Sequence, residues 1–138
     1  MIQAIVDLHK AAGKQVNPDG TNKHGRRDDR SRDSVDMPFP LCWLLPFTVQ
    51  DPVPGDVWFT TPMVVGFWEQ DSPDTSEEQR EDIIRRMDIL ATQYIGALRL
   101  LNKQYDIRNV RREPQYRMFS GTLSGVAISF NYLTTEPC

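Results

Sequence analysis

The stretch from Thr75 to Leu101, TSEEQREDIIRRMDILATQYIGALRLL, predicts one long amphipathic helix against which the rest of the chain can pack. Its large apolar side chains recur in steps of three or four residues, which places them on one helix face. They are Ile83, Met87, Leu90, Tyr94, Leu98 and Leu101, flanked by Ile84, Ala91 and Ile95. Each such side chain contributes roughly 1.5–3 kcal/mol when buried, so this helix should be a main source of stability. Ion pairs of i, i+4 spacing are predicted on its exposed side, namely Glu81–Arg85 and Asp82–Arg86.

The start of this helix carries acidic and capping residues. Thr75 with Glu78, or Ser76 with Gln79, has the spacing of a capping box. Carboxylates are favoured here because the first helical turn carries the positive end of the helix dipole. A glycosidase-like pair would instead need two carboxylates at a defined separation across a cleft. Capping and the dipole are therefore the preferred interpretation of the acidic cluster, which comprises Asp71, Asp74, Glu77, Glu78 and Glu81.

Two strands are predicted before the long helix. Residues 57–69, VWFTTPMVVGFWE, alternate as a strand with apolar side chains on both faces. One face carries Val57, Phe59, Met63, Val65 and Phe67, and the other carries Trp58, Val64 and Trp68. Apolar groups on both faces indicate that both are covered, by the domain or by a partner. In the Pro-rich segment 38–54, residues 41–45 are the part best suited to pairing, since prolines restrict the remainder.

The N-terminal part combines a short helix with a polar loop. Residues 2–12 predict a helix with Ile2, Ile5, Val6 and His9 on its apolar stripe, and Gly13 is a plausible stop. Residues 14–37 are too polar to order themselves, so they predict a loop. The loop is interpreted as a solvated, mobile segment, or as an arm that orders against a neighbouring subunit or nucleic acid.

After the long helix the sequence predicts two or three further strands. Residues 107–112 are short and basic, Pro114 should break the strand, and residues 115–119 lead into a turn at Ser120-Gly121. Residues 122–133 alternate clearly. Their larger side chains share one face, which is the pattern of a half-buried antiparallel strand: Val126, Ile128, Phe130 and Tyr132.

The order of these elements predicts an α+β fold. A mostly antiparallel sheet of about four or five strands, with one long and one short helix on one face, is the economical arrangement. A length of 138 residues fits a single domain over residues 1–138. The net charge of −3 argues against a whole-protein nucleic-acid footprint, which needs a basic domain.

Few residues of the sequence are candidates for catalysis or for binding a metal or cofactor. Cys42 lies in an apolar run that favours core packing, and Cys138 ends the sequence. His9 and His24 lack partners at metal-ligand spacing. Phosphate-binding glycine motifs are missing, and the first residues do not resemble a signal peptide or a membrane span. We therefore predict no catalytic residue, metal site or cofactor; an enzyme centred on Cys42 or on the carboxylates around Asp74 is the least favoured alternative.

Arginines and tryptophans are the remaining candidates for surface contacts. Arg108, Arg111 and Arg112 indicate either protection of an edge strand against aggregation or a basic rim that meets an acidic partner or DNA. The tryptophans at 43, 58 and 68 are interpreted as core or interface anchors. A small nucleic-acid-binding module using the loop arginines is the alternative function, and those residues are Arg26, Arg27, Arg30 and Arg32.

Two stretches resemble a known family. Residues 67–98, FWEQDSPDTSEEQREDIIRRMDILATQYIGAL, and residues 113–138, EPQYRMFSGTLSGVAISFNYLTTEPC, are similar to small virion proteins of tailed bacteriophages that sit in the neck or at the top of the tail. The helix–strand–strand–helix–strand–strand order also resembles the tail-terminator and tail-completion fold. This resemblance covers roughly residues 38–138 and carries no catalytic motif.

The resemblance implies a structural function without enzymatic activity. Subunits would form a ring, commonly hexameric, that caps the tail tube and meets the head connector. The expected partners are further copies of the chain, tail-tube and neck proteins, and DNA passing through the lumen, with no membrane. The expected location is the virion, and the host cytoplasm during assembly. Interface or lumen candidates are Arg26, Arg27, Arg30, Arg32, Trp58, Trp68, Arg108, Arg111 and Arg112.

Overall fold

The computed structural model describes residues 2–25, 38–72, 74–101, 106–117 and 123–134. The fold is α+β, as predicted, and these residues form five strands and two helices. In chain order the elements are α1 (Ile2–Val16), β1 (Thr21–His24), β2 (Leu41–Leu44), β3 (Phe59–Gln70), α2 (Glu77–Leu101), β4 (Asp106–Arg117) and β5 (Leu123–Thr134).

The sheet has the strand order β1-β2-β3-β5-β4. Only the β1–β2 pair is parallel, and every other described pair is antiparallel. The β3–β5 pair runs from Phe59 opposite Thr134 to Gln70 opposite Leu123, so it is the longest of the described strand pairs. Both helices pack on the same face, where α2 lies against β3, β4 and β5 and α1 lies against α2, β1 and β2.

The main core lies between the helices and the sheet. The predicted α2 stripe is buried from Ile83 to Leu98, and the predicted inward face of β5 is buried as well. Ile2 and Leu101 were assigned to apolar stripes but are 58% and 39% exposed. They are the first residue of α1 and the last of α2, so a continued helical period does not guarantee burial at a helix end.

The start of α2 has a capping box at Ser76 and Gln79. The Ser76 amide donates to Gln79 Oε1 at 2.9 Å, and the Gln79 amide donates to Ser76 Oγ at 3.2 Å. The predicted Asp82–Arg86 pair is confirmed at 3.0 Å. The predicted Glu81–Arg85 pair is wrong: Arg85 binds Asp82, and Glu81 accepts a hydrogen bond from Tyr116 on β4 instead.

The N-terminal segment is more ordered than its sequence predicts. Helix α1 does not stop at Gly13 but continues to Val16. Gly13 instead allows a close approach of Asn22, since an added Cβ would lie 2.5 Å from Asn22 Oδ1. Residues 21–24, assigned to a polar loop, form β1 along the edge of β2. Backbone pairing does not require apolar side chains, so composition alone missed this strand. The remainder of the loop, residues 26–37, lies outside the described residues.

The prediction that Pro114 breaks the following strand is wrong. Strand β4 runs through Pro114, which pairs opposite Val126. Proline is tolerated because β4 is an edge strand. On the outer side of an edge strand, a backbone N–H is not needed for a hydrogen bond to a neighbouring strand. A bulge between Arg108 and Arg111 shifts the register, and Asn109 adopts a φ of 59° there.

The Pro-rich segment 38–54 contributes β2 and then returns to the start of β3. Residues 41–44 pair with β3, which confirms the predicted paired part. A backbone bridge between Gln50 and Thr60 closes the connection. In the described ranges, neither helix combines the length and the hydropathy that crossing a lipid bilayer requires.

Candidate interaction surface

The sheet face opposite the helices is a candidate contact surface. Its central side chains, here called the open face, are Pro62, Val64, Arg111, Ser129 and Asn131. Val64 is 37% exposed, and Ser129 and Asn131 are half-buried. A shallow groove of about 450 Å³ crosses this region between β3 and β4. Both described helices lie on the other face, so this part of the sheet is accessible to a partner.

One end of the same sheet face is closed by an apolar cluster. Trp68, Leu41 and Leu123 pack together, with Trp43 half-buried against them. The indole of Trp68 lies over Gly66 and donates from Nε1 to Gln115 Oε1 at 2.7 Å. Trp68 is 1% exposed, so of its two predicted roles, core or interface anchor, its burial within the chain favours the core role.

Trp58 lies just before β3, near the exposed turn at residues 51–57. Its side chain is half-buried, and its amide donates to Asp56 Oδ1 at 3.3 Å. The neighbouring Val57 is 62% exposed and Val53 is 65% exposed. This turn therefore presents apolar surface beside Trp58, and the prediction of an interface role for Trp58 is compatible with its position.

Arg108, Arg111 and Arg112 of β4 differ in what they contact. Arg112 points to the helix side, where it donates to Asp88 Oδ1 and Thr92 Oγ1, each at 2.7 Å. Arg108 donates to Asp106 at 2.7 Å, and this hydrogen bond lowers the pKa of Asp106. Arg111 has no ion-pair partner in the described part of the chain. Of these three, Arg111 lies on the open face without an ion-pair partner among the described residues, and the basic rim stays a prediction.

The predicted arginines Arg26, Arg27, Arg30 and Arg32 all lie outside the described residues. Their assignment to an interface, a lumen or a nucleic-acid contact stays a prediction. Within the described residues, five arginines bind carboxylates: Arg80, Arg85, Arg86, Arg108 and Arg112. The nucleic-acid alternative stays a prediction.

Asp71 of the acidic cluster forms a buried polar site that the sequence did not reveal. Its carboxylate accepts from Arg80 Nε at 2.8 Å, from Ser124 Oγ at 2.5 Å and from the Ser72 amide at 2.7 Å. Arg80 also donates to the Thr75 carbonyl at 3.2 Å. The site ties the start of α2 to β5, so Asp71 has a structural role beyond the predicted charge–dipole interaction.

His9 forms a second buried polar site, between α1, β1 and α2. Its Nδ1 lies 2.7 Å from Tyr94 Oη, and its Nε2 lies 2.8 Å from the Lys23 carbonyl oxygen. A carbonyl only accepts, so Nε2 carries the proton and Tyr94 donates to Nδ1. Burial lowers the pKa of His9 from 6.5 to about 4. Nearby, burial raises the pKa of the Cys42 thiol, which disfavours the nucleophilic thiolate.

The described residues include no cluster of three or more His, Cys, Asp and Glu side chains that could hold a metal ion. Sequence reasoning missed Arg80 and Tyr94, since each lies in an ordinary helical pattern and gains its role from a distant partner. Neither a protein-family model nor a curated protein matches this sequence at a significant level.

Proposed function

We propose that this chain is a structural virion subunit of a tailed bacteriophage, a tail terminator or head–tail connector that assembles into a ring. The observation that carries the proposal is the element order. Helix α1, strands β2 and β3, helix α2 and strands β4 and β5 follow one another in the order on which the resemblance rests, with β1 as an addition.

The open face supports an assembly function. A two-layer domain covers one sheet face with its helices and leaves the other face exposed to solvent or to a partner. Val64 supplies exposed apolar surface, and Arg111, which has no ion-pair partner among the described residues, supplies a charge that can orient a neighbour. Both lie on a rigid sheet, which limits the entropy lost on association. We infer that the open face contacts an adjacent subunit of the ring or the tail tube.

The ring is tested by sedimentation velocity and negative-stain imaging of the purified chain. We expect a closed assembly of about six subunits of 15.9 kDa, or a monomer that assembles only on isolated tail ends. A chain that stays monomeric and binds no tail end would contradict the proposal. Its absence from the proteins of purified particles would contradict it independently.

The contact surface is tested with two single variants, one that places a carboxylate on the open face of the sheet and one that places a carboxylate on the helix layer. Val64→Asp on the open face should raise the concentration needed for assembly at least about tenfold, because it puts a charge in a desolvated contact. Gln93→Asp, at an exposed position of α2, is the matched control. Assembly of Val64→Asp at the wild-type concentration would exclude the open face while leaving the ring itself possible.

A further inference from the structure

Helix α1 and strand β1 form a peripheral unit, Ile2–His24, at one edge of the molecule. Among the described elements, α1 contacts only α2, β1 and β2, while β1 contacts only α1 and β2. The sheet from β2 to β4 and helix α2 therefore keep their mutual contacts when this unit detaches. Local opening of such an edge unit costs less free energy than global unfolding.

His9 is the polar centre of the contact between this unit and the remainder of the domain. The imidazole is 0% exposed and meets the Tyr94 ring edge-on, with 5.6 Å between centroids. Its two hydrogen bonds use one donor and one acceptor, as only the neutral ring can supply. The hydrogen bonds of the closed unit therefore require a neutral His9 ring.

No opposite charge compensates a protonated His9. The titratable side chains that act on it are Lys10 on α1, His24 on β1 and Tyr94 on α2. The backbone of Lys23 and of Cys42 forms hydrogen bonds that raise the pKa of His9, but burial lowers it by more. None of these side chains is a carboxylate. The electrostatic effects of Lys10 and His24 both disfavour a positive charge on His9. An imidazolium at this position is buried without a counterion, which opposes closure.

We propose that residues Ile2–His24 act as an acid-released flap, held closed by neutral His9 and opened when His9 gains a proton. Opening uncovers the Cys42 side of β2 and frees the β2 edge that β1 occupies at neutral pH. A free strand edge can pair with another chain. The flap therefore makes a binding edge conditional on pH.

The sign and size of the pH effect follow from the two states of His9. The pKa of His9 is about 4 when the flap is closed, and the ordinary value of 6.5 applies when it is open. Stability of the closed flap is complete above pH 6.5 and is lost as the pH falls towards 4. The equilibrium constant for opening should rise about 30-fold between pH 7.5 and pH 5.

Reactivity of Cys42 measures opening directly. In a Cys138→Ser background, Cys42 is the single thiol, and it is fully buried in the closed state. Labelling by a dipyridyl disulfide, corrected with a cysteine peptide at each pH, should rise about 30-fold from pH 7.5 to pH 5. Amide hydrogen exchange in β3 and β5 should stay slow over this range, since these two strands keep their pairing when Ile2–His24 detaches.

Replacement variants decide whether His9 is responsible. His9→Gln keeps one donor and one acceptor but cannot gain a proton, so its corrected labelling should be independent of pH. His24→Gln is the matched control and should retain the increase. Tyr94→Phe removes the donor to Nδ1 and should raise labelling already at pH 7.5, which provides a test if His9→Gln fails to fold.

Three results would overturn the flap. Labelling of the His9 protein could be flat between pH 7.5 and pH 5. The same increase could persist in His9→Gln. Amide hydrogen exchange in β3 and β5 could accelerate together with labelling, which would show global unfolding instead of local opening.

Discussion

Replacement of Asp71 by alanine is expected to lower the free energy of unfolding by about 3 kcal/mol, which is the loss typical of breaking a buried ion pair. The Asp71 side chain is 0% exposed and that of Arg80 is 10% exposed. The substitution leaves the guanidinium without its carboxylate and Ser124 Oγ without that acceptor. It also loosens the link between the start of α2 and β5. Chemical denaturation at pH 7 measures the difference.

The same site gives a defined pH dependence. Burial alone would raise the pKa of Asp71, but hydrogen bonds from Arg80, Ser124, Thr75 and the Ser72 amide lower it below its ordinary value of 3.8. The carboxylate therefore stabilises the fold fully above pH 3.8, and this contribution is lost as the pH falls below that value. Asp71→Asn should show a flatter loss of stability below about pH 4. That window is separate from the one assigned to His9.

Asp74→Ala is the matched control, because Asp74 is an exposed carboxylate three residues away. It should change the free energy of unfolding by less than about 0.5 kcal/mol. In the double variant Asp71→Ala/Arg80→Ala, the second substitution should cost much less than it does alone, since the pair acts as a unit. Equal losses for Asp71→Ala and Asp74→Ala would show that the buried pair does not stabilise the fold.

Gly125→Ala is expected to destabilise the protein by about 3 kcal/mol or more, as a severe case of overpacking. Gly125 pairs opposite Trp68 at the junction of β3 and β5. An added Cβ would lie 1.9 Å from the Phe67 carbonyl oxygen and 3.0 Å from Trp68 Cα. These are backbone atoms of a central strand, so they cannot rotate away as a flexible side chain would. A large fall in the melting temperature, or loss of soluble protein, is the expected result.

Gly96→Ala provides the opposite outcome from the same chemical change. Gly96 lies within α2, and an added Cβ there would meet nothing within 4 Å. Alanine in a helix interior is favoured over glycine by about 0.5–1 kcal/mol, so the variant should be more stable than the wild type. A melting temperature of Gly125→Ala at or above that of Gly96→Ala would contradict the steric explanation.

Locally encoded features were predicted well. The apolar period of α2, its start at the capping box and the inward face of β5 depend on neighbours within a few residues. The strand at residues 41–44 follows from a short apolar stretch between prolines. These signals do not require knowledge of what lies across the core, and the α+β fold follows from their order.

The candidate surfaces were less predictable. Arg108, Arg111 and Arg112 look equivalent in sequence, but nearby carboxylates pair with Arg108 and Arg112 and leave Arg111 without an ion-pair partner among the described residues. Tryptophan is a residue type enriched in protein interfaces, yet Trp68 packs inside the chain against Leu41 and Leu123. Whether a polar or aromatic group faces a partner depends on neighbours distant in sequence.

The sequence by itself determined the fold class, the long helix and the apolar face on which both layers meet. Tertiary structure alone decided the strand at residues 21–24, the passage of β4 through Pro114, and the partners of His9 and Asp71. The physical reason is the distance in sequence between the residues that interact. Periodicity and capping arise from interactions within a few residues, whereas strand pairing and burial of polar groups need partners from distant segments, such as Tyr94, 85 residues after His9.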